Sequence, residues 1–79
     1  MTNEQLTALV EFALAVEREQ MSIIGRHLEP TERTWVVRAA FRARFVGVLD
    51  RDLAEMVADQ VLSVIDEVKQ GVSDAGNEL

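Results

Sequence analysis

Residues 34–49, TWVVRAAFRARFVGVL, constrain the fold more than any other stretch: they are apolar on nearly every side of a helical projection yet carry three arginines. At about 100° per residue, Val37, Phe41, Phe45, Val48 and Leu49 fall in one arc. Val36, Ala39, Ala40, Ala43 and Gly47 fall in a second, with Trp35 and Val46 at its edge. Arg38 and Arg42 separate the arcs on one side and Arg44 on the other. A helix with one solvated face needs a single apolar stripe, so two arcs predict a central helix with more than one neighbour.

A chain of 79 residues forms one domain at most, and buries only about 60–65% of the surface its unfolded form exposes. With no cysteine and one histidine, neither a disulfide framework nor a usual structural zinc site can supplement that core. A second copy of the chain is the expected extra source of buried area, so a homo-oligomer, most simply a homodimer, is predicted. The contact is assigned to Val36, Ala40, Ala43 and Gly47, whose small side chains let helix backbones approach closely. Packing of that arc against another helix of the same chain is the alternative.

Punctuation divides the chain into three helices, expected at about 3–27, 32–49 and 52–70, in an all-α, antiparallel three-helix domain over 1–71. Thr2 and Gln5 have capping-box spacing. Glu17 and Gln20 lie at the edge of the first helix's apolar side, where a polar contact could form. Pro30 forces a corner at 28–31, with Thr31 as the expected N-cap and Glu32 in the favoured first turn. Asp52 with Glu55 reads as a second cap, opening a helix that buries Leu53, Val57, Val61, Val64, Ile65 and Val68. Gly71 is the expected stop, and 72–79 a flexible tail. A hairpin in which the second and third helices form one bent rod is the competing arrangement.

The net charge of −6 is unevenly spread. Residues 26–51 hold six arginines against three acids, whereas residues 52–79 hold seven acids against Lys69 alone. The plainest consequence is internal neutralisation of the basic middle by its acidic flanks. A sharper one is docking: Asp52, Glu55, Asp59 and Asp66 line one helical face without interleaved lysines, and predict a surface for a partner protein with a basic patch. Arg33, Arg38, Arg42 and Arg44 are the alternative site, a nucleic-acid contact, although they fall on two sides of the helix instead of one stripe.

Catalytic and cofactor chemistry find little purchase. His27 with Ser22, Ser63 or Ser73 would be the only nucleophile–base choices, without a glycine elbow. His27 is better explained as a helix C-terminal residue favoured by the dipole. Asp50-Arg51-Asp52 begins like a calcium loop, but Ala54 and Glu55 occupy the third ligand and the required glycine positions. A helix-turn-helix reading would give a recognition helix opening with four acids and one arginine, which phosphates repel. No cofactor or metal is expected. The longest uncharged runs are far short of the roughly 18–20 residues that cross a bilayer, and MTNEQ lacks a signal's positive region, so a cytoplasmic, non-enzymatic adaptor or inhibitor is the expectation, with a purely structural oligomerisation module as a further alternative.

Overall fold

In the computed structural model the described residues are 2–77, with side chains described to Gln70. They form three helices and no strand: α1 Asn3–Ile24, α2 Pro30–Arg44 and α3 Arg51–Asn77, each packed against the other two. The connection 45–50 separates α2 from α3, so the single bent rod is excluded.

Each helix end follows from a local cause. The capping box at α1 forms as expected: Gln5 N–H donates to Thr2 Oγ1 at 3.1 Å, and Thr2 N–H to Gln5 Oε1 at 2.9 Å. The helix stops at Ile24, three residues before the expected end. Gly25 takes the left-handed conformation, φ +74°, and its N–H returns to Met21 O at 2.9 Å. A glycine enters that region without the penalty a Cβ would bring, so it terminates the helix instead of merely weakening its last turn. His27 is therefore outside α1, not at its C-terminal dipole.

α2 starts two residues earlier than expected, with Glu29 as N-cap and Pro30 in the first turn, where a missing N–H costs nothing. The Glu32 carboxylate reaches back to Glu29 N–H at 3.1 Å, and Thr31 is not the cap. The helix ends at Arg44, not Leu49. Phe45 O accepts from both Val48 N–H and Leu49 N–H at 3.0 Å, and Gly47 adopts φ +79° to make that turn. Asp50, not Asp52, opens α3: Asp50 Oδ1 accepts from Leu53 N–H at 2.9 Å, while Glu55 turns to Arg42. At the far end the helical backbone continues through Gly71 to Asn77, so the expected stop there is absent. The side chains of the expected tail, and its last two residues altogether, lie outside what is described.

The core is one cluster of Leu9 and Ala13 from α1, Val37 and Phe41 from α2, and Ala58, Val61, Leu62 and Ile65 from α3. Phe41 sits at its centre, tilted at 52° to Phe12 with ring centroids 5.4 Å apart, a geometry that suits the aromatic quadrupoles. The buried stripe of α3 is rotated from the expected one: Ala54, Ala58 and Leu62 are inside, whereas Leu53 and Val68 are exposed and Val57 and Val64 half-buried. The small alanines let α2 and α3 approach, which brings Glu55 and Asp59 within reach of the arginines of α2. The two arcs of the central stretch also separate. Val37 and Phe41 are buried, Phe45 is half-buried and Val48 is exposed beyond the helix end. The second arc turns outward.

Candidate interaction surfaces

The acidic and basic candidate sites meet each other. Arg33 donates from Nε to Glu17 and from Nη1 to Asp66 Oδ1 at 2.8 Å. Arg38 grips Asp59 with both ends of its fork, at 2.8 and 2.7 Å, and Arg42 Nη1 donates to Glu55 Oε1. Along the two helices the partners run in opposite numerical order, 33 to 66, 38 to 59, 42 to 55, so the pairs form a ladder across one interface. Each acid of the expected docking face except Asp52 is thus held by an arginine. Asp52 is exposed and makes no ion pair among the described residues.

Electrostatics fit this geometry. The hydrogen bonds that Arg38 donates to Asp59 raise the Arg38 pKa above its ordinary value, against a smaller opposing effect of burial. At Arg33 burial opposes the charge, but the bonds to Asp66 and Glu17 outweigh it and again hold the guanidinium charged. Among the described residues Glu17 is the one charged residue of the buried set, and the sequence marks it only by its place at the edge of the apolar side of α1. Arg33 Nη2 is buried without an acceptor among the described residues. A separate pair fixes the first corner: Arg26 holds Glu32 at 2.7 and 2.9 Å and brings its carboxyl down to about 2.

Beside the ladder, Arg38, Asp52, Glu55, Met56, Asp59 and Ser63 line an open groove of ≈ 440 Å³. Met56, more than half exposed, is the apolar group there that sequence reading passed over. Of the arginines assigned to nucleic acid, Arg33, Arg38 and Arg42 hold carboxylates, whereas Arg44 stacks over the Phe12 ring at 4.7 Å.

The proposed self-contact fares differently. Trp35 is 73% exposed and Ala43 is exposed, while Val36, Ala39 and Ala40 are half-buried along the same outer face of α2. Gly47 leaves that stripe, because it lies in the turn after α2 with a positive φ and has no helical register with Val36, Ala40 and Ala43. Val46, in the turn beyond the helix end, is 76% exposed.

His27 faces a cleft with Glu17, Leu28, Pro30, Arg33 and Lys69, and Ser63 lines the groove beside α3. Among the described residues no group of three or more His, Asp or Glu is placed to hold a metal ion, and no helix is long and apolar enough to cross a membrane. No family model, curated protein or solved structure matches the chain.

Proposed function

We propose that the protein is a non-enzymatic protein-binding module, an adaptor or inhibitor, that works in the cytoplasm as a homo-oligomer of antiparallel three-helix domains. The observation that carries this reading is the outer face of α2, where Trp35, Val36, Ala39, Ala40 and Ala43 leave an uncharged strip turned away from the chain's own core. Tryptophan is the side chain that contributes most often to the energetic centre of protein interfaces, and alanines one turn apart admit a close partner backbone. A short domain gains most from covering such a strip with a second copy. The antiparallel order is supported by the ladder from Arg33–Asp66 to Arg42–Glu55.

Docking of a basic partner on Asp52, Glu55, Asp59 and Asp66 has less support, because an incoming cation must displace Arg42, Arg38 and Arg33. The nucleic-acid reading meets the same engaged arginines from the other side.

Sedimentation velocity across a wide concentration range tests the proposal. Wild type is expected to associate at micromolar concentration, and Ala43→Glu to sediment as a folded monomer, since position 43 is exposed and its new charge meets no core. A monomeric wild type, or Ala43→Glu that associates as wild type does, would overturn the self-contact.

A further inference from the structure

α2 carries four arginines, of which Arg44 alone holds no carboxylate among the described residues. Its guanidinium lies 4.7 Å from the centroid of the Phe12 ring and 5.9 Å from that of Phe45. Together with Gln5, Leu9, Phe45, Leu49 and Val57 it lines a cavity of ≈ 360 Å³ at the end of the bundle where α2 turns toward α3. That volume is within the range of small-molecule sites. Apart from Gln5 and Arg44 the lining is apolar. We infer that this cavity binds a small apolar carboxylate, with its alkyl or aromatic body among Leu9, Leu49 and Val57 and its carboxylate paired with Arg44.

Three features of the chemistry favour that ligand class. Stacking occupies the face of a guanidinium and leaves the N–H edge free, which is the edge that grips a carboxylate with two parallel bonds. Gln5 already accepts from Thr2 N–H through Oε1, and its amide NH₂ donates to no acceptor among the described residues, so it remains available as a second donor. A neutral apolar ligand would leave the cation without a counter-charge, whereas a polyanion would find one arginine and an apolar lining in place of a basic stripe. The site is on a different face from Trp35 and does not depend on self-association.

Titration of the full chain with decanoate, below its micelle concentration and at constant pH and salt, followed by ¹⁵N and methyl NMR, tests the inference. Saturable shifts are expected at Leu9, Leu49 and Val57 and at the Arg44 Nε–H. Decanol should bind about ten-fold or more weakly, the factor a charge-assisted hydrogen bond supplies. Arg44→Gln should erase the preference for acid over alcohol, and Arg44→Lys should keep part of it. The Nε–H readout needs no variant: if decanoate leaves that resonance unmoved, or if acid and alcohol bind alike to wild type, the inference is overturned. Binding to anionic vesicles without any response to decanoate would overturn it as well, in favour of a lipid surface.

Discussion

Phe41 shows how much one side chain can carry in so small a core. It is fully buried and lies between Phe12 and Phe45, so Phe41→Ala should cost about 3–5 kcal/mol. Urea denaturation followed by far-UV circular dichroism would show a midpoint lowered by about a third or more, because a small domain has about 5–15 kcal/mol in all. This residue was legible in the sequence, since large apolar groups at helical spacing declare a core. Ala54 and Ala58 were not legible: an alanine's hydropathy is the same whether it fills a contact or faces water, and only the approach of α2 decides. Glu17 was half legible, its position marking an edge without naming Arg33. Glu17→Gln removes the charge facing a guanidinium that is four-fifths buried, and should destabilise more than the double replacement Glu17→Met with Arg33→Met. At the first corner the sign of the pH effect is fixed by Glu32. Its folded pKa, about 2 against an ordinary 4.5, lies below the unfolded value. The Arg26–Glu32 contribution is therefore complete above pH 4.5 and fades as pH falls toward 2. Carboxyl carbon shifts of Glu32 followed by NMR should show that midpoint, and Arg26→Gln should return it toward 4.5.

The helices themselves were predicted in number and kind, and their ends in part. A capping box such as Thr2 with Gln5 is a pattern of two side chains in one turn, so the sequence holds all of it. Gly25 and Gly47 illustrate the limit. A glycine inside an apolar run is compatible with a weak helical turn or with a stop, and the choice depends on whether the following residues can pack better elsewhere. The same ambiguity put Asp52 in the role that Asp50 takes, two residues earlier. Both glycines have positive φ with open space where a Cβ would go, so Gly25→Ala and Gly47→Ala should each cost about 1–2 kcal/mol from backbone strain alone, without a clash. Thermal melts of the two variants should therefore shift by similar amounts. Asp50→Ala, which removes the acceptor for Leu53 N–H, should cost about 1 kcal/mol.

At the scale of the whole molecule, the charge segregation along the chain becomes a ladder between α2 and α3. The sequence held both halves of it, six arginines in one segment and a row of acids in the next, and internal neutralisation was their plainest meaning. It could not give the pairing, because that depends on the rotation of α3 that Ala54 and Ala58 permit. Replacing Glu55 and Asp59 with lysine should consequently lower stability by placing like charges opposite Arg42 and Arg38. Adding Arg38→Glu and Arg42→Glu should restore much of the loss, a coupling that a double-mutant cycle measures directly. Isolated solvent-facing acids would show no such rescue, and the cycle thus distinguishes the ladder from a solvated face.

The chain has a single tryptophan and no tyrosine, and that tryptophan is on the outer face of α2, 73% exposed. Its indole is already largely hydrated in the folded monomer, so emission excited at the red edge should move little when the core melts. Covering the α2 face, by contrast, takes the ring out of water. The intrinsic fluorescence of this protein is in effect an association gauge: a blue shift that grows with concentration would mark the filling of that face. A denaturation curve read at the same wavelength would understate how much of the fold had been lost.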